Sequence, residues 1–267
     1  MDQKSFFEPD GSSGRFLATE LTRGPWSRLH QHGGPPAALM ARAVERARSD
    51  RSLAIVRFTV EFLRPVPIGE VRLEVETLKR GRTVERYAAR LWSGSDLVLT
   101  AVALCLRERP ETVGPPVSPP PPPPPDTGRR FQFPFFPDPV GYHEAVEVRY
   151  VRGRWGQPEV TCWLRQHCSL VLHEEPTPLQ RTLVAADAGH GVAVPVELAN
   201  YSFVNADLSV HLARPLQGEW VGMQSASVAE PSGIGLCQTQ LWDGHGPVGR
   251  AAQSLVVRAR KGLALDT

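Results

Sequence analysis

Apolar and polar residues alternate along the first half of the chain. Residues 53–65 read LAIVRFTVEFLRP, in which Val56, Phe58, Val60 and Phe62 form one predicted face and Ile55, Arg57, Thr59 and Glu61 form the other. A period of two residues is that of a β-strand with one buried face. Residues 70–78 alternate in the same way, and the segment KRGRT (79–83) supplies a turn in which Gly81 can adopt positive φ. Two further strands, 84–92 and 97–107, complete a predicted antiparallel meander.

The second half of the chain repeats this pattern. Arg64-Pro65 and Arg214-Pro215 lie 150 residues apart, as do the segments LWSG (91–94) and LWDG (241–244). Gly69-Glu70 and Gly218-Glu219 lie 149 residues apart, which indicates a one-residue insertion or deletion that is later compensated. Matching anchors at one offset favour a duplicated domain over the alternative, two unrelated meanders that share turn residues.

A helix is predicted ahead of each set of strands. Residues 35–49 begin with two prolines, which fit the first turn of a helix, and continue with an alanine-rich apolar face. Residues 177–191 are the counterpart, with Thr177 as N-cap, Pro178 at the first helical position, and Gly189 and Gly191 at the end. A helix followed by antiparallel strands, occurring twice, predicts an α+β fold of the double hot-dog type. In that fold two curved antiparallel sheets each wrap around a central helix.

The repeat also predicts the domain organisation. We expect an N-terminal hot-dog at 1–110, a proline-rich linker at 111–130 and a C-terminal hot-dog at 131–267. Seven consecutive prolines, Pro119–Pro125, form neither helix nor sheet ladder and predict an extended spacer. A proline run is also a ligand type for SH3-like domains, but its position between the repeats favours a linker.

Composition and charge exclude several classes of protein. With 30 basic and 28 acidic residues, the chain has a formal net charge of +2, which is too small to indicate binding to nucleic acid. No apolar run is long enough to cross a membrane, and the first residues lack the basic-then-apolar order of a signal peptide. The four cysteines, Cys105, Cys162, Cys168 and Cys237, lie in strand patterns and are predicted to be reduced. We therefore expect a soluble, cytoplasmic protein without a nucleic-acid or membrane partner.

Several kinds of catalytic motif are absent from the sequence. There is no G-x-S-x-G elbow, phosphate-binding loop, dinucleotide fingerprint or H-E-x-x-H motif. The segment HQH (30–32) places two histidines one residue apart, but no third metal ligand is nearby. An enzyme with this sequence is expected to work without a nucleophilic serine, a metal or a bound cofactor.

Short motifs give the chain a family resemblance. The predicted helix, then VEFLRPVPIGE and VETLKRGRT, then AAD, VNADLSVHLARPLQGEW and AAQS, resemble the double hot-dog acyl-CoA thioesterases of the thioesterase II type. The resemblance covers nearly the whole chain apart from the proline run. It implies that Asp187, Asn205 and Gln253 hold the hydrolytic water, with Asn205 standing where the family pattern has a hydroxyl.

The chemistry of these three residue types suits thioester hydrolysis. A carboxylate such as Asp187 can accept a proton from water, and a glutamine amide can both donate to and accept from the same water. Each residue also has a purely structural interpretation. Asp187 could bond to backbone at a helix end, Gln253 could be a satisfied buried amide, and Asn205 could begin a strand after a turn.

Further residues are candidates for substrate binding. Gly33 and Gly34 precede the helix that begins at Pro35, so their N–H groups could form an oxyanion hole, or the glycines could simply permit a tight turn. His32 could reach a thioester oxygen or a water, or cap the helix. Five basic residues are candidates for the coenzyme A phosphates because guanidinium and ammonium groups bind phosphate. They are Arg64, Lys79, Arg80, Arg82 and Arg214.

The expected function is hydrolysis of an acyl-CoA to a free acid and coenzyme A by a homo-oligomeric protein. The acyl chain is expected between helix 35–49 and the opposed sheet. One alternative is a hot-dog enoyl-CoA hydratase or dehydratase, since Asp187 and His190 lie three residues apart on a predicted helix. Another is an acyl-ligand binding protein without catalytic activity, which the asparagine at 205 favours.

Overall fold

The architecture is taken from a computed structural model that describes residues 4–11, 14–109, 119–136 and 138–260. Within these residues there are four α-helices: α1 (Gly34–Ala47), α2 (Tyr142–Ala145), α3 (Pro178–Ala186) and α4 (Gly189–Val192). The strands of the first half are β1 (Ser5–Pro9), β2 (Arg15–Ala18), β3 (Leu53–Phe62), β4 (Glu70–Lys79), β5 (Val84–Ser93) and β6 (Asp96–Arg107). Those of the second half are β7 (Arg129–Phe131), β8 (Val146–Arg152), β9 (Glu159–Gln166), β10 (Ser169–Val171), β11 (Tyr201–Asn205), β12 (Asp207–Leu212), β13 (Trp220–Ala229), β14 (Ile234–Asp243) and β15 (Gly246–Ala259).

The described strands form one continuous sheet. Their order is β10-β1-β2-β4-β5-β6-β3-β12-β15-β14-β13-β9-β8-β7, and β11 also pairs with β15. The two halves join where β3 and β12 run antiparallel, with Thr59 opposite Ser209. Each strand of β4–β6 begins 150 residues before its counterpart in β13–β15, so the repeat in the sequence is a repeat in the sheet.

The simple meander predicted for each half is wrong. In the first half β3 pairs with β6 rather than with β4, and in the second half β12 pairs with β15 rather than with β13. The connection between the first two strands of each half therefore crosses over to the far side of the following hairpins. This places the loop after β3 beside the other half of the molecule.

A bulge interrupts the alternation of β3. The register with β6 shifts between Ile55 and Arg57, so Ile55 is buried on the same strand as Phe58 and Val60. Local pattern predicted Val56 on that face instead. An extra residue in one strand moves the side chains before it to the opposite face, which a period of two cannot reveal.

Helices α1 and α3 pack against each other in opposite directions. At one end, the backbone of Gly34 is so close to Val184 that a Cβ on the glycine would lie 2.7 Å from the Val184 carbonyl oxygen. At the other end, the Glu45 carboxylate accepts hydrogen bonds from Thr177 Oγ1 at 2.8 Å and from Gln180 Nε2 at 2.7 Å. The start of α1 therefore lies at the end of α3.

The predicted cap of the second helix is confirmed, but its predicted end is wrong. Thr177 and Gln180 form a reciprocal capping box, with Pro178 in the first turn. The helix stops at Ala186, and Asp187 is its C-cap, while Gly189 begins the separate short helix α4 instead of ending α3. Asp187 therefore lies at a corner between two helices.

The described part of the proline run packs against the second half of the sheet. Residues 111–118 of the predicted linker lie outside the described residues. Pro122 is buried, and the indole N–H of Trp163 donates a hydrogen bond to the Pro123 carbonyl at 2.7 Å. A 3-10 turn at Pro125–Thr127 follows, and β7 begins at Arg129, inside the predicted linker. The last prolines are thus part of the wall of the domain rather than a free spacer.

The cysteines are free thiols, as predicted. Cys105, Cys162 and Cys237 are buried, and Cys168 is half-buried. Burial raises the pKa of the Cys162 thiol to about 12, which makes it unreactive. Among the described residues, no helix has the length and apolar character needed to cross a membrane.

Candidate active site

A cavity of about 570 Å³ lies where the two halves meet at the start of α1. Its walls come from the loop around residues 24–33, from the residues after β3, from 133–142, from the corner between α3 and α4, and from β11 and the end of β15. No residue of α1 is among those that line it. This cavity therefore does not lie along helix 35–49, where the sequence predicted the acyl chain. Close packing of α1 against α3 and the sheet fills that space.

Asp187 lies in the wall of this cavity and is only 2% exposed. The Asn205 amide donates to Asp187 Oδ1 at 2.8 Å. The Gln253 amide donates to the Asp187 backbone carbonyl at 3.1 Å and lies 3.5 Å from Oδ1. The three residues that the family resemblance implied therefore meet at one carboxylate, from a helix end and two strands.

The fold explains why these side chains converge. Strands β11 and β12 pair with successive parts of β15, and the break between them comes at Ala206, directly after Asn205. Gln253 lies on β15 opposite Cys237 and is 1% exposed, so its side chain points into the domain. Its Oε1 accepts the His190 backbone N–H at 3.3 Å, which leaves its NH₂ group facing Asp187.

His32 reaches Asp187 from the other half of the chain. Its Nδ1 lies 3.0 Å from Asp187 Oδ2. Its ring stacks on Tyr142, with centroids 3.8 Å apart and planes 3° from parallel. The Tyr142 hydroxyl donates to the Val184 carbonyl at 2.7 Å and so fixes the tyrosine. Asp187 therefore fixes the edge of the His32 ring, and Tyr142 fixes its face.

The Asp187 carboxyl is ionised in spite of its burial. Burial alone would raise its pKa, but the His32 imidazole, His190 and the Asn205 amide together outweigh that effect and lower the pKa below 3.8. The Gly34 N–H also lies 3.2 Å from His32 Nδ1. One nitrogen cannot donate to a carboxylate and accept from an amide at once, and the charged partner makes the stronger bond. The Gly34 N–H is then left available.

Gly33 and Gly34 form the tightest part of the site. A Cβ on Gly33 would lie 2.6 Å from the Phe62 ring and 2.9 Å from Asp187 Oδ2, so no side chain fits there. The next two residues, Pro35 and Pro36, have no N–H. Gly33 and Gly34 therefore supply the only N–H groups of residues 33–36 at the start of α1.

Among the described residues, the His190 imidazole forms no ion pair with the Asp187 carboxylate and interacts with the Asp187 backbone instead. Its Nδ1 lies 3.4 Å from Gln253 Oε1, and its ring packs edge-on against Phe203. Burial lowers the pKa of His190 below 6.5, although Asp187 acts in the opposite direction. The carboxylate–imidazole pair of this site is Asp187 with His32, and not the Asp187–His190 pair on one helix that a hydratase would use.

The basic residues of the repeat behave differently in the two halves. In the second half Arg214 is bound to Asp243, with Nη1–Oδ2 and Nη2–Oδ1 distances of 2.5 and 2.7 Å. The position equivalent to Asp243 in the first half, 150 residues earlier, is Ser93. Arg64 has no such carboxylate and lies at the rim of the cavity. Among the described residues, an ion pair thus joins the two motifs of the repeat in the second half only.

The other predicted phosphate ligands lie elsewhere. Lys79, Arg80 and Arg82 belong to the turn between β4 and β5 and do not line the cavity. Arg258, near the end of β15, does line it and was missed by the sequence analysis. Val256, two residues earlier on the same face of β15, also lines the cavity. The alternation of the strand therefore places Arg258 on the cavity side once Val256 is known to face it. Tyr142 was missed as well, because nothing in its local sequence marks it as a support for His32.

Comparisons with known proteins identify the fold. The structure is similar to many solved proteins, including the following three. A conserved protein of unknown function with a hot dog fold from Alicyclobacillus acidocaldarius is 17% identical, with 95% of this chain and 96% of that chain covered and a TM-score of 0.73. The acyl-CoA thioesterase II TesB2 from Mycobacterium marinum is 17% identical, with 96% and 97% covered and a TM-score of 0.71. The tesB protein of Mycobacterium avium subs paratuberculosis is 17% identical, with 94% and 95% covered and a TM-score of 0.69. No curated protein sequence matches the chain.

The fold therefore belongs to the hot-dog class, with a large sheet and few helices. The model of the acyl-CoA thioesterase N-terminal domain matches residues 22–106, and that of the acyl-CoA thioesterase C-terminal domain matches residues 115–257. The second match alone spans more than half of the chain. The protein belongs to the acyl-CoA thioesterase family and is a thioester hydrolase.

Proposed function

We propose that the cavity beside Asp187 is the active site, and that it hydrolyses an acyl-CoA by direct attack of water. The observation that carries this proposal is the meeting of Asp187 and Asn205 with His32 of the other half in the wall of one cavity, with Gln253 behind that wall donating to Asp187. The water oxygen attacks the carbonyl carbon and its proton passes to the Asp187 carboxylate. The C–S bond then breaks, and the proton passes on to the thiolate.

The Asn205 amide positions the water, because it lines the cavity and an amide side chain can both accept from and donate to a water at the carboxylate. Gln253 supports the site from behind by donating to the Asp187 backbone carbonyl. An asparagine amide can hold a water in place of the hydroxyl of the family pattern. His32 keeps Asp187 in the orientation that the water needs.

The N–H groups of Gly33 and Gly34 stabilise the oxyanion. Gly33 lies beside the carboxylate in the cavity wall, and Gly34 follows it at a helix start where the partial charge is positive. Loss of one donor of this kind typically lowers the rate by about 10²–10³-fold. The absence of Cβ atoms allows the thioester carbonyl to approach this backbone.

We further propose that Arg64, together with Arg258, binds the phosphates of coenzyme A at the rim of the cavity. Both side chains are exposed, and neither has a carboxylate partner among the described residues. Lys79, Arg80 and Arg82 are at most a more distant source of positive charge in this proposal.

Replacing Arg64 with Gln should raise KM for acyl-CoA about tenfold, because one charge-assisted contact to phosphate is lost. KM for the N-acetylcysteamine thioester of the same acid should not change, since that substrate has no phosphate. Arg80→Gln is the matched control and should leave both values unchanged. Equal effects of Arg64→Gln on the two substrates would remove Arg64 from phosphate binding.

The function itself is tested by release of free thiol. Purified protein should release coenzyme A from at least one member of a panel of short, medium, long and aromatic acyl-CoAs. Binding without release across that panel would favour an acyl-ligand binding protein. Loss of the conjugated absorbance of crotonyl-CoA without thiol release would favour a hydratase.

The division into domains, the cellular compartment and the oligomeric state are also proposals. We propose two hot-dog halves, 1–110 and 131–267, joined by 111–130, each with part of the sheet curved around its helix. The joining of β3 to β12 supports this, although β10 of the second half pairs with β1 of the first. We also propose a cytoplasmic homo-oligomer. Four unpaired cysteines support a reducing compartment, and light scattering would give the number of subunits.

A further inference from the structure

The cavity is lined by an unusual number of aromatic rings. The whole chain has 10 Phe, 6 Trp and 4 Tyr. Six of the Phe and Trp residues line this one cavity: Trp26, Phe62, Phe133, Phe135, Phe136 and Phe203. Three of them come from the segment FQFPFF at 131–136, to which the proposed catalytic chemistry gives no role.

The rings pack against each other in the edge-on and stacked arrangements that aromatic pairs prefer. Phe133 and Phe135 meet edge-on, with centroids 5.6 Å apart and planes at 78°. Trp26 meets Phe203 edge-on at 5.7 Å and stacks on Phe135 at 6.4 Å. Five of the six rings, all except Phe62, therefore form one connected set in the cavity wall.

Further rings support this wall from behind. Trp155 stacks on Phe135 at 5.5 Å with planes 16° apart, and Phe131 stacks on Trp155 at 5.8 Å. Neither Trp155 nor Phe131 lines the cavity. Aromatic side chains have few rotatable bonds, so a wall supported in this way keeps its shape when a ligand enters.

The ring wall reaches the reacting groups. Phe62 lies against Gly33, where a Cβ would be 2.6 Å from its ring and 2.9 Å from Asp187 Oδ2. Phe203 lies edge-on to His190, with centroids 5.7 Å apart. An acyl group whose carbonyl lies at Asp187 would therefore lie among rings from its first carbons onward.

We propose that the preferred substrates are acyl-CoAs whose acyl group carries an aromatic ring, such as aroyl or arylacetyl groups. A flat ring gains edge-on and stacked contacts with this wall in addition to burial of its apolar area, and an alkyl chain gains only the burial. This inference rests on the proposed function, because it assumes that the cavity beside Asp187 receives the acyl group.

The test compares phenylacetyl-CoA with octanoyl-CoA, which have acyl groups of equal carbon number. We expect kcat/KM to be about tenfold higher for phenylacetyl-CoA, which is the upper end of the effect of one ring pair. Phe135→Leu should lower this ratio severalfold, because it removes a ring from the wall. Phe16→Leu is the matched control: Phe16 is a buried phenylalanine of β2 that does not line the cavity, so the ratio should be preserved.

Dissociation constants separate this inference from the proposed function. The same pair of ligands is titrated into the Asp187→Asn variant and into the wild-type protein under conditions too brief for turnover. Tighter binding of phenylacetyl-CoA supports the inference even if no thiol is ever released, and the proposed function alone would then fail. Equal or tighter binding of octanoyl-CoA, or a ratio that Phe135→Leu does not change, overturns the inference even in an active thioesterase.

Discussion

Replacing Asp187 with Asn is expected to lower kcat for acyl-CoA hydrolysis by about 10³-fold, within the range that general-base catalysis supplies. Asparagine has the same shape as aspartate, so the contacts to Asn205 and His32 keep their approximate geometry. It has no charge and cannot take a proton from water. Steady-state release of thiol, followed at saturating substrate, measures the effect.

Two controls make this result specific. Asp96→Asn changes an exposed carboxylate at the start of β6, outside the cavity, and should leave kcat unchanged. Circular dichroism and the unfolding midpoint of Asp187→Asn should show that the variant is folded. A kcat near that of the wild type would eliminate Asp187 as the base. The imidazole of His32, 3.0 Å away, would then be the next group to examine as proton acceptor.

The charge on Asp187 also has a consequence for pH. Burial raises its pKa, but His32, His190 and Asn205 lower it by more, so the folded-state pKa lies below 3.8. The carboxylate is therefore ionised throughout the neutral range, and the loss of its charge reduces activity only as the pH falls below that value. The same depressed pKa means that its ionisation stabilises the fold above pH 3.8, and that this contribution disappears in acid.

The second large effect is expected at Asp243, which joins the two motifs of the repeat. Asp243 is fully buried and accepts from both Arg214 Nη groups and from the backbone N–H groups of Gln217 and His245 at 2.9 and 2.8 Å. Asp243→Ala should lower the free energy of unfolding by about 3 kcal/mol, the lower end of the range for breaking a buried pair, because Arg214 is partly exposed. The midpoint of urea unfolding measures this.

Ser93→Ala is the matched control, because Ser93 is the equivalent position of the first half. It should change the unfolding free energy by no more than about 0.5 kcal/mol. Burial by itself would raise the pKa of Asp243. Arg214 and the backbone donors have the larger, opposite effect, so the pKa is lowered from 3.8. Its stabilising contribution is therefore present above that pH and lost below it, and Asp243→Ala should weaken the acid sensitivity of the wild type. Unchanged stability in Asp243→Ala would mean that the turn after β14 holds without this pair.

Much of the fold could be predicted because it depends on local sequence patterns. The alternation in 70–78 corresponds to β4, and the capping residues Thr177 and Pro178 begin α3 at the predicted place. The offset of 150 residues relates the hairpins of the two halves. These features depend on neighbours within a few residues or on simple repetition, so one sequence is enough to reveal them.

Part of the site could be predicted in the same way. The resemblance identified Asp187, Asn205 and Gln253 from three short motifs, and the structure brings them together. Their individual roles in catalysis stay predictions. The pairing of Asp187 with His32 could not be anticipated, because 155 residues separate them and nothing near either residue in the sequence indicates the other.

The sequence by itself determined the strands β3–β6 and β12–β15, the helix starts, the duplication and the residue types available for chemistry. Tertiary structure alone decided which strands are neighbours, that Arg64 is unpaired while Arg214 is bound, and that the cavity lies at the end of α1 and is lined with rings. The physical reason is that strand register and helix packing set the distances between remote segments. A shift of one residue, such as the bulge in β3, turns a side chain from one face of the sheet to the other.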